Sequence, residues 1–428
     1  MSEQNQEIEE PRLLDQLEEE KKLRTLFLEC YEEIVDRLKY YTDLKKEYYS
    51  IIALWILGTY FHKNFPTYSY LFFNAIKGSG KSRILKLIAF LSKDGEVLNS
   101  LTEAVLFREN GTLCIDEFES ITRQGKESLR ELLNSAYKQG TKVKRMKKVK
   151  GLEEKYEVEG FDVYRPIAMA NIWGMEEVLG DRCISMILEK SDKKEIIDLM
   201  EIFDMDETLV KIKTTLTTLT TLTTQKCQNW CSLCMKMLLG RMYMHWNFYT
   251  KNSYISTLTT LTTFTYTNYT KDGLEKFFKE IKESGIDGRN LELAFPLFLI
   301  SFELDCIAKE NMLEGRDIFQ EVIISIKTLV LERKSEELIE NRDILIIDFL
   351  SQEPEENYFV SLSSLFEKFK QFSQINEEFV NPKWFGRRLK TLNLIVQKRR
   401  CGRGIELIPN FAKAREKIKL FREEPVLP

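Results

Sequence analysis

Tyr68-Ser-Tyr-Leu-Phe-Phe73-Asn74-Ala75-Ile76-Lys77-Gly78-Ser79-Gly80-Lys81-Ser82-Arg83-Ile-Leu-Lys-Leu-Ile-Ala-Phe-Leu91 is the stretch that decides the fold of this chain. It begins with an apolar run, Tyr68 to Phe73, that reads as a buried strand, and ends with Arg83 to Leu91, whose apolar residues recur at helical spacing. Between them stand two glycines and Lys81-Ser82. Strand, glycine loop, Lys-Ser and helix in that order make an anion cradle, because backbone N–H groups and the positive end of the helix face the same point. Lys77, Gly78, Ser79 and Gly80 would wrap the phosphates of a nucleotide, Lys81 would reach the β- and γ-phosphates, and the Ser82 hydroxyl would ligate Mg²⁺. The pattern GxxxxGK[ST] opens on glycine, and this chain has Ala75 there. That position lies at the loop entrance, where the backbone is less demanding than at Gly80.

A second element follows. Thr112-Leu-Cys-Ile115 reads as a short apolar strand ending in Asp116-Glu117, with one other strand-like run, Glu96-Val-Leu98, between it and the loop. Strand alternation turns the two carboxylates different ways. Asp116 would hold the Mg²⁺ shell and Glu117 would polarise an attacking water, the Walker B arrangement, which points to ATP hydrolysis and not to binding alone.

Composition sets the frame. The chain has 428 residues, 43% of them hydrophobic, enough for two or three domains with a substantial core. A net charge of −4 does not advertise a polyanion partner, so any such signal must be local. Met1 to Glu10 is acidic and polar, unlike a signal peptide, and the apolar run Ile51 to Phe61 is too short to span a bilayer. Eight cysteines, one inside the nucleotide core at Cys114, read as reduced thiols in a cytoplasmic protein. With two histidines, His62 and His245, a multi-histidine metal site is not expected.

Periodicity divides the chain into five parts. Residues 1–62 read as helical, with a solvated charged face at Glu18 to Arg24. Residues 63–190 alternate strands and helices, an α/β core. Residues 191–339 read as a helical lid interrupted by Leu-Thr-Thr tracts at Thr214–Thr224 and Thr257–Thr263, whose period of three predicts low-complexity loops. Residues 340–412 read as a small α/β module, and 413–428 as a tail.

Lys138 to Lys150 holds seven basic residues in thirteen and no acid. Alternation at Lys142 and Lys144, then at Tyr156 and Val158, predicts two strands joined by a basic tip near Lys147 to Gly151. Lys142, Lys144, Arg145, Lys147, Lys148 and Lys150 would suit contact with a phosphate backbone; a solvated charged loop is the plainer alternative. The next strand, Pro166 to Asn171, ends in an asparagine placed to orient a lytic water, or else to form an ordinary turn. Arg182 would serve as an arginine finger in a neighbouring subunit's site, or else as a local ion-pair partner. Arg289, at the start of a lid helix, would touch the phosphates or lie on the surface.

Residues 46–300 resemble the helicase-like ATPases of the AAA+ group, and among them the primase/helicase-associated family of phages, plasmids and archaeal mobile elements. The residues that carry the likeness are Ala53-Leu-Trp55, Gly80-Lys81-Ser82, Leu106-Phe-Arg108, Ile115-Asp116-Glu117, Leu132 and Asn134, the Ala168/Ala170 strand and Asp181-Arg182. The basic hairpin resembles the pre-sensor-1 hairpin of minichromosome maintenance and superfamily 3 helicases. The resemblance implies an AAA+ P-loop core, ATP with Mg²⁺, a homo-oligomeric ring that is a hexamer in those relatives, hairpins lining a pore that grips single-stranded DNA, and a separate primase or initiator as partner.

The C-terminal module carries a second basic patch. Lys383, Arg387 and Arg388 sit around an amphipathic helix, and Lys398, Arg399, Arg400 and Arg403 on a glycine-turn hairpin, with no acid between Lys383 and Ile405. Helix followed by basic hairpin resembles a winged helix, which would bind DNA or dock protein. Cys227, Cys231 and Cys234 have the CxxxCxxC spacing of radical S-adenosylmethionine enzymes, but the same spacing puts them on one helix face beside Trp230 and Leu233 as a buried stripe. Together these readings predict an ATP-hydrolysing DNA-acting motor, a ring helicase in replication of a plasmid, virus or integrated element. A DNA-binding initiator or loader switch, and a signalling or defence ATPase that binds protein, stay open.

Overall fold

A computed structural model describes the chain except residues 1–5, 100, 109–110, 117, 119–126, 150–154, 173–174, 176, 226–270, 314–316, 341, 355–357, 375–379, 403 and 423–428. It divides into two compact units, Met1–Leu329 and Val330–Pro428. In chain order the first unit holds α1 (Gln6–Tyr41), α2 (Lys46–Thr59), β1 (Tyr70–Ala75), α3 (Lys81–Leu91), β2 (Glu96–Leu98), α4 (Glu103–Arg108), β3 (Leu113–Ile115), α5 (Glu127–Ala136), β4 (Lys142–Val149), β5 (Lys155–Asp162), β6 (Ile167–Asn171), α6 (Glu177–Gly180), β7 (Cys183–Leu188), α7 (Lys194–Ile197), α8 (Glu207–Gln225), α9 (Lys271–Ser284) and α10 (Gly288–Glu310). Helix α11 (Ile318–Glu340) runs across the division.

Five parallel strands form one sheet in the order β2-β3-β6-β1-β7. Parallel strands buried on both faces need near-continuous apolar sequence, and β1 supplies it: Tyr70, Leu71, Phe72 and Phe73 are all buried. The polar tips that such burial would strand are paired. Tyr70 hydroxyl donates to the Leu133 carbonyl at 2.8 Å, and the Trp55 indole N–H to the Ser69 carbonyl at 2.8 Å. Helix α2 is buried all round from Tyr48 to Thr59 and packs on α1, α3 and α10.

Two expectations change here. The charged face at Glu18 to Arg24 is not wholly solvated, because Arg24 is buried and pairs with Glu303 and Glu310, each at 3.1 Å. The first Leu-Thr-Thr tract is not a loop but the second half of α8. Leu209, Ile212, Leu216 and Leu219 are buried at spacings of three and four, and α8 packs on α1. A short period of three drifts little enough to extend that face. The threonine hydroxyls turn inward on the helix, donating four residues back from Thr214, Thr217, Thr220 and Thr221. The second tract lies outside the described residues, as do Cys227, Cys231 and Cys234.

The second unit holds α12 (Arg342–Gln352), β8 (Val360–Ser361), α13 (Leu362–Ser373), α14 (Pro382–Thr391), β9 (Ile395–Cys401), β10 (Gly404–Pro409) and α15 (Phe411–Arg422). Its three antiparallel strands run β8-β10-β9 over a core that includes Phe349, Phe366, Phe369, Phe385 and Leu389. Asn381 caps α14, its side chain accepting from the Trp384 N–H, with Pro382 at the first turn. Among the described residues no helix is long and apolar enough to cross a membrane.

Candidate functional site

Parallel pairing brings the C-terminal ends of the strands to one edge of the sheet. Ala75 pairs with Leu188, Asn74 with Asn171, and Ile115 with Met169. The loop 76–80, Asp116, Asn171 and the segment after β7 therefore line that edge. Ala75 closes β1 in regular extended pairing and is buried, so its backbone makes no demand that only glycine meets. Gly78 and Gly80 do: both are left-handed, at φ +81° and +82°, and Gly80 is the cap residue of α3. Ser79 folds the loop back, its N–H and hydroxyl both donating to the Ile76 carbonyl.

Two side chains from the start of α3 converge on the acid at the end of β3. The Ser82 hydroxyl donates to Asp116 Oδ2 at 2.5 Å, and Lys81 Nζ lies 3.5 Å from Asp116 Oδ1. Both ends of the Lys81–Asp116 pair are largely shielded from water, with side-chain exposures of 15% and 13%. A hydroxyl, a carboxylate and an ammonium at a helix N-terminus suit a hydrated divalent cation beside a phosphate. Mg²⁺ keeps most of its waters and takes one or two protein oxygens, so it needs no dedicated cage. No group of three His, Cys, Asp or Glu side chains able to hold a metal occurs among the described residues.

Asn171 is buried at 1% exposure, and its strand, β6, lies between β1 and β3. Its position is thus between the loop and Asp116, and the Phe118 N–H donates to the Ala170 carbonyl alongside. Glu117 lies outside the described residues.

The two candidate arginines are not brought to this edge. Arg182 precedes β7, at the opposite end of the sheet. Its guanidinium donates to the carbonyls of Asn134 and Val178 and lies 5.4 Å from the Tyr137 ring centre. Arg289 stands over the same ring at 5.2 Å, bonds the Tyr137 hydroxyl at 2.9 Å, and pairs with Asp181 at 3.4 Å and Glu292 at 2.5 Å. It does not reach the loop of its own chain.

The basic segment forms an antiparallel hairpin whose strands run farther than its sequence suggests. Pairing extends from Lys142–Asp162 to Val149–Lys155, so Lys147 and Lys148, expected at the tip, belong to strand β4. Register sets Arg145 opposite Glu159 and Lys147 opposite Glu157, while Lys144 faces Gly160 and Lys148 faces Tyr156. Phe161 stacks on Phe107 at 4.9 Å and fixes the base of the hairpin. Lys142 and Lys144 are exposed; Lys150 lies outside the described residues.

In the second unit the basic residues separate into two groups. Arg388 forks onto Asp343, with Nε 2.6 Å from Oδ1 and a second nitrogen on Oδ2, and Arg399 pairs with Glu406 at 2.7 Å while lying 3.9 Å from the Phe359 ring centre. Both are engaged inside the unit. Lys383 and Arg387 are exposed on α14, joined there by Lys390, and Lys398 and Arg400 are exposed on β9. Arg403 lies outside the described residues.

Two residues near the loop carry no signal in the pattern. Arg83, directly after Ser82, donates to the carbonyls of Ile196 and Leu199 and so ties the segment after β7 to the first turn of α3. Lys190, on that segment, approaches Gly78. Only the parallel β1–β7 pairing puts them there. No protein-family model matches this chain, and no curated protein matches it.

Proposed function

We propose that the first unit binds and hydrolyses ATP with Mg²⁺ and that the chain is a DNA-acting AAA+ ATPase, a ring motor of the helicase type. The observation that carries the proposal is the convergence of Ser82 and Lys81 on Asp116 at the end of a loop with two left-handed glycines. Backbone N–H groups of the loop and the N-terminus of α3 would bind the phosphates, and Lys81 would neutralise their charge. Ser82 and Asp116 would hold Mg²⁺, which supplies charge neutralisation on the phosphate oxygens when bound. Glu117 would take the proton of the attacking water, and Asn171, at the end of the strand between loop and acid, would orient that water.

The DNA part rests on the hairpin β4–β5 and on the second unit. The order helix, strand, helix, helix, two-stranded wing suits a winged helix, with α14 as the helix offered to DNA and Lys383, Arg387, Lys398 and Arg400 exposed for phosphates. The test is ATP turnover with and without single-stranded DNA. Turnover stimulated by DNA and abolished by Lys81→Met supports the proposal, and turnover indifferent to DNA removes the motor. A fork-unwinding assay then separates a motor from a loader switch.

A further inference from the structure

Lys190 lies two positions beyond the Ala75–Leu188 pair, on the edge that carries the loop. A methyl group placed on the Gly78 Cα would stand 3.6 Å from Lys190 Cε, so the end of the lysine stem lies within about one bond length of contact with the loop's turn. The ammonium is one bond farther on. The backbone on either side is fixed: the Ile187 N–H donates to the Tyr48 hydroxyl at 3.3 Å, and the Ser191 hydroxyl donates to Asp43 at 2.7 Å. Asp43, the carboxylate that the neighbouring Ser191 reaches, is already paired. Lys193 sits 2.7 Å from it, and this contact, followed by the Ser191 hydrogen bond, holds its carboxyl below the usual range. Among the described residues Lys190 itself makes no ion pair. An exposed lysine ordinarily extends into water, where its rotamer entropy is highest. Here a fixed backbone carries one against an anion cradle and leaves its charge uncompensated.

We infer that Lys190 is a second cation for the phosphate tail of a nucleoside di- or triphosphate. It approaches the loop from the β7 side while Lys81 approaches from α3, so the tail is held between two ammonium groups. The inference rests on the nucleotide reading of the same loop. It adds a binding residue that the Gly-Lys-Ser pattern does not contain.

The test is equilibrium binding of a fluorescent ATP analogue, with ADP as competitor, to the full chain, to Lys190→Met and Lys190→Arg, and to Lys81→Met. A charge-assisted contact at a half-open site predicts that Lys190→Met weakens both nucleotides about fivefold to tenfold, while Lys190→Arg stays within about twofold of wild type. Melting without nucleotide should be unchanged in both Lys190 variants. If Lys190→Met binds like wild type while Lys81→Met has lost binding, the inference is overturned and the nucleotide reading stands. A lowered melting temperature without nucleotide overturns it too, since the lysine would then be structural. A wild-type chain that binds neither nucleotide overturns both.

Discussion

The register of the basic hairpin makes a quantitative prediction about which of its cations touch nucleic acid. Strand β4 carries Lys142, Lys144, Arg145, Lys147 and Lys148, and β5 answers with Asp162, Glu159 and Glu157 opposite Lys142, Arg145 and Lys147. A cation with an acid at the position directly across the ladder is expected to gain less from a phosphate, because the two positions are close enough for opposite charges to offset one another. Lys144 and Lys148 have Gly160 and Tyr156 across from them in the ladder, and neither of those is an acid. If each of these two lysines neutralises one phosphate of single-stranded DNA, Lys144→Ala/Lys148→Ala lowers the slope of log K against log salt by about 1.4, two contacts at about 0.7 each. Between about 50 and 200 mM salt that slope difference amounts to about sevenfold in affinity. The control is a charge swap, Lys147→Glu/Glu157→Lys, which keeps an acid and a lysine in register across the ladder and leaves the net charge the same. It should leave both slope and affinity near wild type. Fluorescence anisotropy of a labelled oligonucleotide across a salt series reads all three proteins. If the swap costs as much slope as the double alanine variant, the paired cations contact phosphate and the register argument is refuted.

Two further predictions concern stability. Arg388→Ala removes the fork onto Asp343; with the arginine side chain 40% exposed, solvent limits the loss to about 1 kcal/mol, or about 4–8 °C in the melting of the second unit, with DNA affinity unchanged. Arg387→Ala/Lys390→Ala should do the reverse, weakening DNA binding and sparing the melting temperature. The pH dependence of the first unit should combine two opposed buried groups. Burial, opposed by its hydrogen bond to the Thr59 carbonyl, lowers His62 to about 4, so its stabilisation is complete above about 6.5 and is lost as pH falls toward 4. Burial raises Asp305 to about 6 despite the amides of Ile318 and Phe319 that it accepts, so its stabilisation is present below about 3.8 and is lost as pH rises through 6. From pH 7 to 5 the first costs about 2 kcal/mol and the second returns about 1. His62→Gln should therefore flatten the acid-side loss and Asp305→Asn should steepen it, both read from melting curves at the two pH values; parallel curves for the three proteins would contradict the assignment.

Much of the candidate nucleotide edge is legible in sequence because its chemistry is local. Gly78 and Gly80 are conspicuous in sequence for the reason they are needed in structure, a left-handed backbone at a helix start. Asp116 was legible because a short apolar strand stops there. What was not legible depends on strand order and register. Nothing in Lys190 or Arg83 marks them until β7 lies beside β1. The acids opposite Arg145 and Lys147 stand fourteen and ten residues away in sequence, and only the antiparallel register makes them neighbours. Arg388 reads as part of a basic patch until the fold brings Asp343 of α12 to it. The Leu-Thr-Thr tract reads as a loop on its period of three, while the buried face it extends begins earlier, at Leu209 and Ile212.

The two ends of the sheet bear on the proposed ring. Strand β1 has six residues, a rise of about 20 Å, and the loop lies at one end while Tyr137, Arg182 and Arg289 lie at the other. No side chain spans that distance, so neither arginine can act on a phosphate bound by its own chain. Any role for them at a phosphate requires a second copy that presents its far edge to the loop. The geometry also ranks the two. Arg289 is already neutralised by Asp181 and Glu292, and a phosphate would have to displace both acids. Arg182 donates to two neutral carbonyls and rests on an aromatic face, forming no ion pair among the described residues. Its orientation is fixed while its charge is unspent, which is the condition for a positive group held ready for charge that develops only during reaction. Arg182→Ala should then depress turnover in the assembled protein far more than it weakens ATP binding, and mixing it with a Lys81→Met chain should restore activity at interfaces where an intact loop meets an intact Arg182. Failure of mixing to restore any turnover, in a population shown to co-assemble, would remove Arg182 from the site.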